Sequence, residues 1–351
     1  MPDWASSRQM LGVLIKDMPR YLPALYGAGK RYLALCNRNE VLLAAPDGDG
    51  YQCQFQWTSD LHAPKVWPNL GVRLMRRALR DHPIERREAP ISRSRAPEVT
   101  FIIGHRGLDR LPHLFATLES IAGQRNVAVE CIVVEQDVVS HLSGRLPAWV
   151  QHVFSPPPSA AMPYCRSWAF NIGARQARAE LLVLHDNDIL VPADYTASAL
   201  TRARAGFDVI ALMRFGFYLG AEQTANVFAG QALATDEAPE TILQNICGGG
   251  TVAIRRDAYW RIGGMDEGFV GWGGEDDEFW ERAQTLTLWS YGCLPYVHLW
   301  HPKQPEKDDR ARATHARFLR MTEIAPARRI AALRALPCGQ ASGPAGWIEA
   351  P

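Results

Sequence analysis

From Val99 onward the chain repeats one pattern: a short, wholly apolar run, a polar or acidic stop, and a longer stretch with helical spacing. Residues 99–103, 129–134 and 181–184 read as buried strands, and residues 112–122, 166–178 and 192–204 as helices. A fourth strand is expected over 208–213. Pro112 stands early in its helix, where a missing N–H is harmless. Strands that alternate with helices specify a mainly parallel α/β sheet. Ligands of such sheets bind beyond the carboxyl ends of the strands. Two acidic stops fall there: Glu135-Gln136-Asp137 and His185-Asp186-Asn187-Asp188.

A length of 351 residues favours about two domains. The 38 basic and 37 acidic side chains leave a net charge of +1, which gives no electrostatic drive toward nucleic acid. Seven cysteines without a CxxC pair fit neither a disulfide framework nor a zinc site, and read as the reduced thiols of a cytosolic protein. The N-terminus lacks the pattern of a secretory signal, and no apolar run approaches the roughly 20 residues that span a bilayer. A cytoplasmic protein is expected.

Residues 1–95 read as a small, β-rich accessory module with short strands over 31–35, 40–45 and 51–57 and a helix over 69–81. No catalytic constellation stands out in it. Residues 83–97, charged and bounded by prolines, read as a linker to a domain over 96–305. Residues 306–351 form an Arg/Ala-rich tail containing Arg310, Arg312, Arg317, Arg320, Arg328, Arg329 and Arg334. A solvated, partly docked helix is expected there, with a peripheral membrane contact through the basic tail as the alternative.

Three segments carry chemistry. Asp186 and Asp188 lie two apart, so in extended chain their carboxylates point the same way and can share a divalent cation with the diphosphate it bridges. Gly271-Trp272-Gly273-Gly274 precedes four acids, Glu275 to Glu278, that open an apparent helix over 277–283. Acids suit a helix start, but capping does not require the glycine-rich turn in front of them. His298 and His301 follow a strand, either being able to complete a metal shell begun by Asp188.

Residues 99–302 resemble the inverting galactosyltransferase and chondroitin-polymerase-like glycosyltransferases of the GT-A fold. The resemblance rests on Ile102-Ile103-Gly104-His105-Arg106, on Arg166 to Gly173, on Asp186-Asn187-Asp188, and on Gly249-Gly250-Thr251, Gly263 to Asp266 and Gly271 to Asp277. It implies a metal-dependent enzyme moving a sugar from a UDP-sugar to a hydroxyl of a glycan or glycoconjugate, in bacterial surface polysaccharide synthesis. Asp188 and His301 would hold Mn²⁺ or Mg²⁺, with Asp186 beside the ribose. Arg106 and Arg166 would face the diphosphate, and Glu135 and Asp137 the nucleoside. Gly249 and Gly250 would line the sugar pocket, Trp272 would stack on the sugar, Glu275 would bind its hydroxyls and Asp276 would be the base. The loop His105-Arg106-Gly107 lacks the second closely spaced arginine often seen in the family. Retaining relatives typically have Asn where this chain has Asp276, so inversion is expected, a retaining enzyme or a non-catalytic sugar-nucleotide-binding relative being the alternatives. A nucleotidyltransferase would want a lysine-bearing glycine loop after the first strand, and this chain has none. The small residues Cys247 and Gly248 suggest a pocket that tolerates an N-acetyl group.

Overall fold

The structure, a computed structural model, describes residues 4–91, 96–246, 248–303 and 307–345, so Cys247 lies outside the described residues. Its first region is more helical than the sequence suggests. Helices α1 (Trp4–Lys16) and α2 (Met18–Tyr26) follow one another through Asp17, and β1 (Leu42–Ala44), β2 (Tyr51–Cys53), β3 (Ser59–Asp60), α3 (His62–Val66) and α4 (Pro68–Asp81) come after them. The strand expected over 31–35 is a 3₁₀ turn at Arg31–Ala34. Tyr32 and Leu33 are both buried there, and adjacent inward side chains suit a turn better than a strand with one wet face.

This region is built into the rest of the chain. Strand β3 pairs antiparallel with β11 (Thr241–Gln244). The buried guanidinium of Arg214 donates to the Leu33 and Leu35 carbonyls at 2.7 and 2.6 Å and to Gln244 Oε1 at 2.9 Å. One hydrophobic cluster runs from Val13, Leu74 and Met75 to Phe101 and Val183. The described part of the expected linker is pinned: Arg87 N donates to Glu119 O, and Trp149 Nε1 to Glu88 O.

The main sheet uses β4 (Val99–His105), β5 (Val129–Glu135), β6 (Val150–Phe154), β7 (Leu181–His185), β9 (Val209–Ile210), β12 (Thr251–Arg255) and β13 (Leu288–Trp289), in the order β13-β9-β12-β7-β4-β5-β6. Only β12 runs against the others. The central strands are buried on both faces, as parallel sheets require. Phe101, Ile103, Leu181 and Val183 point into one apolar layer, and Ile102, Leu182 and Leu184 into the other. Helices α5 (Leu111–Ala122) and α7 (Tyr195–Arg204) contribute to the first layer, and α6 (Arg166–Gln176) and α9 (Arg256–Arg261) to the second. The architecture is α/β, a mostly parallel sheet flanked by helices.

A second sheet has the order β3-β11-β10-β14-β8, with β8 (Ile189–Leu190), β10 (Met213–Tyr218) and β14 (Leu294–His298). The single strand expected over 208–213 is therefore two, because the chain leaves the main sheet after Ile210 and enters the second at Met213. Helices α8 (Ala221–Phe228), α10 (Glu275–Ala283), α11 (Lys307–Thr322) and α12 (Pro326–Arg334) complete the fold. The tail is docked: Arg317 binds Asp266 at 2.8 Å, and the buried Arg329 reaches Glu278 at 3.2 Å and Glu281 at 2.5 Å. Its basic character thus serves contacts to acids of the fold, while Arg320, Arg328 and Arg334 remain exposed. The side chains of Arg310 and Arg312 lie outside the described ones.

Candidate active site

Asp186, Asn187 and Asp188 form the link by which the chain crosses from one sheet to the other, β7 lying in the first and β8 in the second. The carboxyl ends of β4, β5 and β7 therefore open onto the same space as those of β10 and β14. Asn187 Nδ2 donates to His105 Nδ1 at 3.1 Å, and His105 bonds onward to the Gly107 carbonyl at 2.8 Å, which fixes the crossing loop to the end of β4. Because β12 runs antiparallel to β7, its first residue, Thr251, sits opposite His185. That register puts Gly249 and Gly250 beside the acids, with Asp186 N donating to Gly250 O at 2.8 Å.

Leu299 N donates to Asp188 O at 2.9 Å and so seats the end of β14 against the same loop. The result is a three-residue cluster of Asp188, His298 and His301, whose ligand atoms lie within 4.8 Å of one another. His298 Nε2 is 3.7 Å from Asp188 Oδ1, and His301 Nε2 is 3.5 Å from Oδ2. The two histidines left as alternatives by the sequence thus meet at one carboxylate. Tyr218 stacks on His298 at 4.2 Å and fixes its ring. Burial raises the Asp188 pKa, but His298, Arg110 and His301 outweigh it and hold the carboxyl below its ordinary value. Burial pushes His301 down, toward the neutral imidazole that ligates metals. One carboxylate and two imidazoles suit a borderline first-row divalent ion better than Mg²⁺, which prefers oxygen.

Arg110, not singled out in the sequence, donates to Asp188 Oδ2 at 2.9 Å. It supplies the second arginine that the loop at 105–107 lacks, three residues farther on and just before α5. Arg106 also reaches the cleft, its guanidinium bonded to the Gln136 and Met162 carbonyls at 2.7 and 2.9 Å.

Arg166 opens α6 and holds three other acids together. Its NH2 lies 2.7 Å from Asp186, and its NH1 bonds to Asp276 and lies 3.8 Å from Glu275. Its position is set from both sides. Gln136 exchanges two hydrogen bonds with the Cys165 backbone, and Gly271 N donates to Tyr164 O at 3.0 Å. Burial pushes the carboxyls of Asp186, Glu275 and Asp276 up, Asp276 to about 8, against the opposing pull of Arg166.

The glycines before these acids have a backbone reason. Gly271, Gly273 and Gly274 have φ of 104°, 98° and 85°, a region that L side chains rarely adopt, and Gly274 is the residue from which α10 starts. A Cβ on Gly249 would stand 3.4 Å from Asp276 Oδ2, so the glycine wall lies directly against that carboxylate.

These residues line one cleft of about 1100 Å³, together with Trp272, Tyr218 and, from the first region, Asp60 and Lys65. Ligand pockets run to roughly 300–1,000 Å³, so the cleft stands at the large end of that range. Glu135 and Asp137 are not among its lining. Glu135 is fully buried and accepts from Ser140 Oγ, His141 N and Leu142 N, with His152 at 2.9 Å. Asp137 accepts from Gly107 N at 3.0 Å. Both carboxylates organise loops around the cleft. Trp272, on the rim, is half exposed.

Residues 238–290 match the family model described as the N-terminal domain of galactosyltransferase. That span covers Gly249, Gly250, the 271–274 turn and the acids of α10. Beta-1,4-galactosyltransferase 5 of Sus scrofa is 28% identical over 149 residues, covering 39% of this chain and 32% of that protein. The aligned part thus spans about a third of that curated relative. Among solved structures, the mannosyltransferase PcManGT of Pyrobaculum calidifontis, in complex with GDP-Man and Mn²⁺, aligns over 76% of each chain with a TM-score of 0.44 and 17% identity. The catalytic domain of Drosophila beta1,4galactosyltransferase 7, in complex with xylobiose, aligns over 61% of this chain and 79% of its own with a TM-score of 0.34 and 18% identity. The similarity to galactosyltransferases is thus strongest over residues 238–290, and these aligned relatives are glycosyltransferases.

Proposed function

We propose that the chain is a metal-dependent, inverting GT-A glycosyltransferase that moves a sugar from a UDP-sugar to a hydroxyl of a glycan or glycoconjugate. The observation that carries this reading is the meeting of two chemistries in one cleft: the Asp188–His298–His301 cluster, and the Glu275–Asp276 pair on a glycine-lined wall. The relative's name makes galactose the first sugar to try. Surface-polysaccharide synthesis is the setting implied by the sequence resemblance.

Asp188, His298 and His301 would hold Mn²⁺, which when bound neutralises the diphosphate leaving group. Arg110 and Arg106 add fixed positive charge on the same side of the cleft, where phosphate oxygens suit guanidinium forks. Asp276 takes the acceptor's hydroxyl proton as that oxygen bonds to the anomeric carbon, while the bond from that carbon to the diphosphate breaks and its electron pair leaves with the phosphate. Burial makes Asp276 a stronger base than an ordinary carboxylate, and the Arg166 guanidinium favours its ionised form. Glu275, buried with Oε2 lacking a protein partner, is placed to accept from a sugar hydroxyl. Trp272 offers a ring face to a pyranose.

A panel of nucleotide sugars with Mn²⁺ and a glycan acceptor, scored for nucleotide release and for the product's anomeric proton by NMR, tests the proposal. A β-linked product from an α-configured donor is expected. An α-linked product would mean retention, and absence of turnover with every donor would leave a binding protein.

A further inference from the structure

The consecutive helices α1 and α2 carry both buried and exposed apolar side chains. Val13, Tyr21, Ala24 and Leu25 face inward and are buried. Leu11, Leu14, Ile15, Leu22 and Tyr26 face outward and are between 47% and 62% exposed, and Met10 is also exposed. Leu11 and Ile15 stand one turn apart, as do Leu22 and Tyr26, so the outward residues form stripes. Monomeric proteins rarely leave so many large apolar side chains contiguous in water.

The charges of this segment are mainly basic, although Lys30 is paired with the exposed Asp49 at 2.9 Å. From Trp4 to Arg31 the chain has Arg8, Lys16, Arg20, Lys30 and Arg31 but a single acid, Asp17. Asp17 is buried and is bound by Arg38 at 2.7 Å, so it contributes no negative charge to the surface. Arg73 of α4 adds a further cation, stacked over Tyr26 at 4.7 Å. No helix among the described residues is long and apolar enough to cross a membrane.

We propose that the exposed face of α1 and α2 is a peripheral docking surface for anionic lipid, lying in the plane of the bilayer with Leu11, Leu14, Ile15 and Leu22 among the acyl chains. An exposed apolar stripe bordered by Lys and Arg is the arrangement that binds such an interface, the cations meeting phosphate headgroups as the aliphatic groups leave water. The same charges disfavour a second copy of the chain as occupant, because two mainly basic faces repel. Helix α1 packs against α3, whose Lys65 lines the cleft, so docking would bring the bilayer to the side of the cleft formed by the first region.

The experiment is co-sedimentation of the full chain with phosphatidylcholine vesicles, with and without phosphatidylglycerol. Binding is expected to the anionic vesicles, to weaken with added salt, and to be much weaker on phosphatidylcholine alone. Leu11→Glu with Ile15→Glu should lower the vesicle partition coefficient at least tenfold. Arg8→Glu with Lys16→Glu should lower it on anionic vesicles alone, by about fivefold or more for each cation. All four positions are exposed, and the unfolding midpoint of each variant should match the parent. Failure to sediment with anionic vesicles overturns the proposal, and so does a light-scattering dimer that Leu11→Glu with Ile15→Glu dissolves.

Discussion

Arg166 binds Asp276 with one guanidinium nitrogen and Asp186 with another, so the proposed base and the first acid of the crossing loop share one cation. The titration of Asp276 is consequently set by its environment in two opposing ways. Burial raises it and Arg166 pulls it down, the net result being a rise to about 8.

As a base, Asp276 must be ionised, and it is protonated below its pKa. The kcat/KM profile should therefore rise with pH and level off only above about pH 8. Arg166→Ala removes a positive charge and favours the neutral acid, so the rising limb should move to higher pH. An unmoved limb would assign it to another group.

Asp276→Asn should lower kcat by on the order of 10²–10⁴-fold, the usual worth of a general base. Donor binding, followed by calorimetry with the UDP-sugar and Mn²⁺, should persist because Asp188, His298 and His301 are untouched.

Removal of metal should silence turnover, and Mn²⁺ should restore it better than Mg²⁺. His298→Ala and His301→Ala should each weaken Mn²⁺ binding at least tenfold by electron paramagnetic resonance titration, since each removes one of three protein ligands. Equal Mn²⁺ affinity in either variant would exclude that imidazole from the shell.

Gly274→Ala should destabilise the fold by about 1–2 kcal/mol, the cost of a left-handed conformation for an L residue. Its Cβ would also press on Phe318 and Phe269 at 3.1 and 3.2 Å. Because Glu275 and Asp276 follow directly, kcat should fall as well, which thermal unfolding and initial rates on the same sample would separate.

Arg282 is fully buried, paired with Glu278 at 2.6 Å and donating to the Ile262 and Gly264 carbonyls at 2.6 Å each. Arg282→Ala should cost about 3–5 kcal/mol, the usual result of removing one member of a buried pair. A lowered midpoint in thermal or urea unfolding is the readout.

The main sheet is legible in the sequence because β4, β5 and β7 are continuously apolar, and buried parallel strands read that way. The acids after β7 and those opening α10 are legible for the same reason, since they interrupt or follow strong patterns. Arg110 is hidden because its partner, Asp188, is distant in sequence and met only through folding. Glu135 invites a ligand role by standing at a strand end, yet it is used by amides of the loop that follows. Helices α1 and α2 are obscured by Gly12 and Pro23, which weaken a helical reading that tertiary packing restores.

Helix α10 places Asp276 at its first turn, while its fourth residue, Glu278, is bound by Arg329 of α12. The ribosome delivers α10 well before α12, so that buried contact cannot form while α10 is the newest part of the chain. That brace on α10 is thus finished late in synthesis. Fragments ending after His301 and before α12 would carry all the proposed chemistry and lack this brace behind it.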